Sequence, residues 1–328
     1  MNVLWALFAC IWIHHAAAVL YFDGLRVHRN AFPWLSTYKI WNDPQRQVNW
    51  GISPRWNRIT SSPGRVKFMF YRLSKIVICW VLHLFVIGSL VPLHFGFTAQ
   101  DFAPSRQVFV RRLLSLSGDP PITVREIEIR LFLSVYWIWV AYLMLDMCSI
   151  LLSIFFSVIL RLDTPDEWKP LFGSPLQAYS VRRFWTKFWH RLTVSCCASS
   201  SKQVTRRLVG MTPGSRCEKI FVAFWTFLLS GVCHVVADWQ AGEPCHPYND
   251  MLFFVANFVA GAVELVVADR LNRVKKRSGD GTFNQLIWSN PTKIIVGYVW
   301  VLGFFFWITS KWQYPKLHAV LTQAQRQG

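Results

Sequence analysis

Carboxylates are scarce in this 328-residue sequence: 17 Asp and Glu stand against 35 Lys and Arg, and charged residues of both signs make up only 16%. Set beside 53% hydrophobic residues, including 26 Phe and 18 Trp, and a positive mean hydropathy, so little charge does not describe a soluble globular domain. Also missing is any Cys-x-x-Cys pair or cluster of histidines. The eight cysteines, at 10, 79, 148, 196, 197, 217, 233 and 245, lie mostly in or beside apolar runs. That argues against a structural zinc site or a disulfide framework and for small apolar packing groups. No activated serine or cysteine signature marks a covalent nucleophile. No internal repeat or low-complexity tract divides the chain. The formal net charge of +18 invites a nucleic-acid reading. The basic residues, however, sit between apolar runs and not on a separable domain, so membrane topology accounts for them without such a partner.

Long apolar runs are what the sequence has in abundance. Six of them, 2–22, 75–97, 131–160, 220–239, 251–268 and 293–308, reach or approach the roughly 20 residues that a helix needs to cross about 30 Å of hydrocarbon. The expected fold is all-α, a polytopic integral membrane protein with one embedded domain over 1–328. The first run lacks a basic leader and outlasts a signal peptide, so it reads as a retained anchor. Lys202, Arg206, Arg207, Arg216 and Lys219 before the fourth run, and Arg270, Arg273, Lys275, Lys276 and Arg277 after the fifth, place both stretches in the cytosol as loops. Residues 238–250 carry Asp238, Glu243 and Asp250 but no Lys or Arg, and so face the lumen, with the flanking helices forming an antiparallel pair. The front half resists this treatment, because 23–73, 98–129 and 161–219 are all basic. The run 131–160 fits one tilted helix or two helices breaking near Asp146.

Two segments carry chemistry. FLLSGVCHVVADW, at 227–239, sets His234 inside an otherwise apolar span, where an ionisable side chain costs several kcal/mol and function is the default hypothesis. DEWKPLFGSPLQAYSVRRFWTKFWHR, at 166–191, opens with a Pro/Gly turn cluster and continues with Tyr179, Phe184, Trp185, Phe188 and Trp189 interleaved with Arg182, Arg183, Lys187 and Arg191. That pattern suits an interfacial helix, with aromatic bodies at headgroup depth and cations reaching phosphate, on a lipid or on a cofactor. His190 ends the run. Ser230 lies one turn before His234 on the same face, fit to orient the ring or a substrate. Asp238 completes an H-x-x-x-D pattern with His234 but reads as the lumenal end of the span. Glu264 reads as an interfacial acid near Arg270, Asp146 as a cap on a broken helix, and His14 and His15 as packing groups.

The phrase PLFGSP (170–175), then Ser180, Phe184, Trp185, Trp189 and His190, followed by Ser230, Gly231 and His234, resembles the wax-synthase-like branch of the membrane-bound O-acyltransferase family. The likeness is greatest to fungal members that acetylate terpenoid and meroterpenoid alcohols, and it is strong over about residues 160–275. NWGISPRW, at 49–56, departs from an RGIG-like phrase of that family. The resemblance implies a helical bundle of that family, in the endoplasmic reticulum, that transfers an acyl group, acetyl first, from coenzyme A to a hydroxyl. Acyl-CoA is then a co-substrate, with no bound cofactor or metal. The partners it implies are a hydrophobic alcohol, the bilayer and other enzymes of a secondary-metabolite pathway. His234 and His190 take the catalytic positions; Ser230, Trp185, Trp189, Arg182 and Arg183 become substrate contacts. The residues support this independently, because a neutral imidazole within reach of a hydroxyl is a competent base. Long-chain wax ester synthesis stays open within the class. A membrane terpene cyclase and a transporter stay open outside it, although few buried acids and no matched pair of broken helices speak for either.

Overall fold

The computed structural model describes residues 2–23, 33–42, 64–114, 121–242, 247–278 and 290–327, which hold helices and turns and no strand. In chain order the helices are α1 (Asn2–Ala17), α2 (Pro33–Asn42), α3 (Arg65–Phe95), α4 (Phe109–Leu113), α5 (Val124–Ile159), α6 (181–188), α7 (Val194–Gln203), α8 (Arg216–Ala241), α9 (Pro247–Ser278) and α10 (Asn290–Gln327). Six helices among the described residues are long and apolar enough to cross a membrane: Val3–Phe22, α3, α5, α8, Pro247–Leu271 and Pro291–Gln327. Each apolar run of the sequence falls on one of them. A helix satisfies its backbone groups internally, which is the condition for spanning hydrocarbon. Their outward faces carry large apolar side chains such as Ile78, Phe85, Val266 and Val299, all exposed, which suits a lipid solvent and not water. The protein is therefore an all-α, multi-pass membrane protein.

The chain divides into two compact units, 1–25 with 99–134 and 173–328, and 26–98 with 135–172. In the second, α2 is fixed by Lys39, which bonds Asp163 and lies 2.5 Å from Glu167 Oε2, while Tyr38 Oη donates to Asp163 Oδ2 at 3.0 Å. The same carboxylate accepts Trp168 Nε1 at 2.9 Å. Burial of the phenol, and then the Asp163 charge, raise Tyr38 well above its usual range. Within this unit Lys75 Nζ lies 2.6 Å from Asp146 Oδ2. That pair explains why α5 runs unbroken from Val124 to Ile159: Asp146 is neutralised in mid-helix and needs no helix end.

The first unit holds both histidines. At one end Gln203 Nε2 donates to the Phe22 carbonyl at 2.7 Å and Arg206 pairs with Glu218 at 2.6 Å, joining α1, α7 and the start of α8. At the other, Arg112 bonds both oxygens of Glu126 at 2.8–2.9 Å, and Arg130 bonds Glu126 and donates to Ser310 Oγ at 2.5 Å. Arg125 pairs with Asp101, and His318 Nδ1 donates to the Ala99 carbonyl at 2.9 Å. Within the basic stretch 98–129, Arg106, Arg112 and Arg125 are thus held by internal carboxylates.

Two expectations are corrected here. Arg270 and its basic neighbours do not form a loop, because α9 continues through Ser278, helped by an i,i+4 pair of Asp269 with Arg273 at 2.5 Å. Residues 166–191 do not form an interfacial helix with a lipid-facing aromatic side. Apart from 3₁₀ turns at Pro165–Glu167 and Pro175–Gln177, the helix covers only 181–188, and Phe184, Phe188 and Trp189 are buried inside the protein. The phrase NWGISPRW, Glu243 and Cys245 lie outside the described residues.

Candidate active site

The site is built by inserting α6 among α8, α9 and α10. Its first turn is capped twice. Ser180 Oγ accepts Arg183 N at 3.1 Å, and Glu264 of α9 accepts Val181 N and Arg182 N at 2.6 and 2.9 Å. A helix start leaves such N–H groups orphaned, and a carboxylate there also meets the positive end of the helix dipole. Trp300 Nε1 of α10 donates to the same carboxylate at 2.7 Å. Glu264 is therefore not an interfacial acid near Arg270 but the fixture that sets α6 in place. Replacing it with alanine removes the acceptor of the part-buried Val181 N–H and of the exposed Arg182 N–H, an expected cost of about 1–3 kcal/mol. A detergent melt should show that loss, smaller in Glu264→Gln, whose single carbonyl oxygen still accepts; an unchanged melting point in Glu264→Ala would remove this role.

From Glu264 the segment descends along α9. Arg182 lies over Gly261, where an added Cβ would come to 3.7 Å, and Trp185 Nε1 donates to Asn257 Oδ1 at 2.8 Å. Residues 264, 261 and 257 span two turns of α9, about 10 Å, so α6 carries its end that far into the bundle. There Trp189 stacks on Phe184 with ring centres 5.3 Å apart, and the His190 ring follows at 5.2 Å from Trp189. Trp185 also meets Phe227 of α8 at 5.4 Å.

His234 comes to this place from α8. Gly231, one turn before it, lets α9 approach: a Cβ there would stand 2.9 Å from Met251 Sδ. The approach sets Phe254 at 4.8 Å from the His234 ring, with Trp312 of α10 edge-on at 6.3 Å. Trp312 Nε1 in turn donates to Asp250 Oδ1 at 2.6 Å, and Lys316 bridges Asp250 at 2.7 Å and Asp238 at 2.5 Å. Asp238 is thereby committed to a lysine at the end of the span and not to the imidazole, as the sequence suggests. The two histidines are within electrostatic reach of each other. Desolvation, and then His234, push the His190 imidazole down to about 3, so it stays neutral at physiological pH.

The other sequence-derived residues divide. Trp185 and Trp189 wall the site. Ser230 faces the same way as His234, but its hydroxyl donates to the Thr226 carbonyl at 2.8 Å and not to the ring. Arg183 is spent locally, donating to the Gln177 carbonyl at 3.0 Å with its guanidinium 4.3 Å from the Tyr179 ring. Arg182 is exposed at the N-terminal end of α6. His14 bonds the Cys10 carbonyl at 2.8 Å and His15 is buried, in keeping with packing. Asn257 escapes sequence reasoning, and Asp250 and Glu264 stand out there as acids but without the partners they have here. Their signal is a stripe, Asp250, Asn257, Gly261 and Glu264, in which polar and small residues recur at helical spacing on an apolar span.

Residues 168–256, the stretch that supplies both histidines, match the model of the membrane bound O-acyl transferase family. The resemblance carried by the two motifs is thus matched, over this stretch, by the model of the same family. Among curated proteins it is similar to acetyltransferase atnC of Arthrinium sp, 33% identical over 207 residues, which cover 62% of this chain and 45% of the relative. Acetyltransferase TRI7 of Fusarium sporotrichioides is 31% identical over 183 residues, 54% of this chain and 39% of the relative. Acetyltransferase aurG of Calcarisporium arbuscula is 27% identical over 289 residues, 86% and 64% respectively. The chain thus spans less than two thirds of each of these relatives. No solved structure matches it.

Proposed function

We propose that the protein is an acyl-CoA-dependent O-acyltransferase that moves acetyl from acetyl-CoA to a hydroxyl of an apolar, terpenoid-like alcohol at the endoplasmic reticulum membrane. The observation that carries this reading is the convergence of His190 and His234, delivered by separate elements, among Trp185, Trp189, Phe254 and Trp312. His234, only partly exposed, takes the proton of the acceptor hydroxyl as its oxygen attacks the thioester carbonyl carbon. The new C–O bond forms, the C–S bond breaks, and the coenzyme A thiolate recovers the proton from His234. His190, held neutral, has one ring N–H to offer the oxygen that gains negative charge in between. The transfer needs no acyl-enzyme.

The relatives named acetyltransferases support acetyl as the donor group, and the wax-synthase-like motifs support the terpenoid acceptor and the endoplasmic reticulum. With 202–219 in the cytosol, α6 enters from the cytosolic end, where exposed Arg182 is placed to meet the phosphates of coenzyme A. The opposite end, with Asp238, Lys316 and the internally paired 98–129 segment, then faces the lumen. The test is a radiolabel assay on microsomes carrying the full chain, with acetyl-CoA or palmitoyl-CoA offered against terpenoid and fatty alcohols. Acetyl transfer to the terpenoid panel is expected. Palmitoyl transfer to fatty alcohols alone would make the protein a wax ester synthase, and no transfer together with no binding of a thioether analogue of acetyl-CoA would overturn the class.

A further inference from the structure

We propose that Asn257 of α9 is a positioning residue of the reaction, holding the Trp185 indole so that Trp189 and the His190 ring keep their place beside His234. The inference rests on the acyl-transfer reading of the site. His190 needs such support because the helix that carries it stops short of it. The last turn of α6 is a wide one, closed by Trp189 N donating to the Phe184 carbonyl at 2.7 Å, and at Trp189 the backbone turns extended, with φ −67° and ψ 152°. The imidazole therefore stands past the helix end, where its neighbours and not helical periodicity set its position.

Asn257 fastens those neighbours to α9. It is 1% exposed in the middle of an apolar span, where an amide is costly unless it is paired. Both of its ends are used. Nδ2 donates to the Phe253 carbonyl, one turn earlier, at 2.8 Å, which leaves Oδ1 to accept Trp185 Nε1 of α6 at 2.8 Å. The reversed amide would set N–H against N–H, so the network admits one orientation. The indole held in this way lies edge-on to Phe227 of α8 at 5.4 Å and to Trp189 at 5.5 Å. Trp189 then meets His190 at 5.2 Å, so contact runs unbroken from α9 to the imidazole. The same helix carries Phe254, one turn before Asn257 and 4.8 Å from the His234 ring. One rigid element thus references both histidines, which is what a reaction needing two groups at one acyl carbon requires.

The test measures kcat, the KM for acetyl-CoA and the affinity for a thioether analogue of acetyl-CoA in Trp185→Phe, Asn257→Leu and the double variant, each alone and combined with His190→Ala. Trp185→Phe keeps a ring in place but has no N–H to donate; Asn257→Leu keeps a side chain of similar size but has no acceptor. Each is expected to lower kcat on the order of 10-fold, short of the roughly 10² that a full 1 Å misplacement costs. KM and analogue affinity should stay within about threefold of the parent. The double variant is expected to be no slower than the slower single one, because both remove the same bond. In the His190→Ala background neither substitution should lower kcat further by more than about twofold, since the ring they place is gone. Trp225→Phe, which removes an indole bond to Ser200 Oγ at 3.0 Å, is the control and should stay within about twofold of the parent. Trp185→Phe decides by itself where Asn257→Leu does not fold: turnover within about twofold of the parent overturns the proposal. Losses that multiply with that of His190→Ala, or an equal loss in Trp225→Phe, would mark a general structural defect and overturn it too, and a raised KM at the parent's kcat would make Trp185 a substrate contact instead. A parent that neither transfers acyl groups nor binds the analogue would overturn the acyl-transfer reading itself and this inference with it.

Discussion

Replacing His234 with alanine is expected to lower kcat for acetyl transfer by about 10³-fold, within the 10²–10⁴ that a positioned base contributes, with little change in the KM for acetyl-CoA. A hydroxyl at neutral pH is a poor nucleophile, and among the described residues His190 is the other neutral imidazole near His234. His190→Ala is expected to cost less, roughly 10²-fold, the scale of removing one donor to a developing oxyanion. The two losses should not add, since both residues serve one transition state. The double variant then sits near His234→Ala. Single-turnover transfer in detergent, at equal amounts of folded protein, measures all three. A His234→Ala protein that retains the parent's rate would place the base elsewhere.

The spans and the two histidines are legible in the sequence for different reasons. Hydrophobic runs report burial in lipid directly, and a histidine in such a run stands out by its cost. Hydropathy does not, however, say which apolar neighbour a side chain meets. That is why Phe184, Trp185 and Trp189 read as an interfacial face although they pack against Phe305, Phe227 and one another. Asp146 misleads for a related reason: an acid in mid-run reads as a break until Lys75, on another span, is found beside it. Taken one at a time, Glu264, Asn257 and Asp250 do not read as parts of the site. Each gains a role only from α6 or α10 lying on one face of α9, and that placement depends on tertiary packing that periodicity cannot supply.

The glycine of PLFGSP makes this dependence testable, because Gly173→Ala is expected to slow transfer by roughly 10²-fold while touching neither histidine. The Gly173 N–H donates to the Phe188 carbonyl at 2.8 Å, holding the turn against the end of α6. A Cβ at 173 would stand 1.9 Å from the Lys187 carbonyl oxygen and 3.1 Å from its carbon. These are backbone atoms and cannot swing aside as a flexible side chain would, so either the turn or α6 must move by more than an ångström, on the order of the 1–3 kcal/mol cost of overpacking or above it. Glu264 pins the start of α6, so the displacement falls on Trp189 and His190. A misplacement of about 1 Å in a catalytic group costs roughly 10² in rate. Gly261→Ala is the control, since its Cβ would make only an ordinary 3.7 Å contact with Arg182; it should fold and turn over within about threefold of the parent. Melting points and acetyl transfer for the two variants, side by side, decide the matter. Equal activity in both would mean that the turn does not position His190.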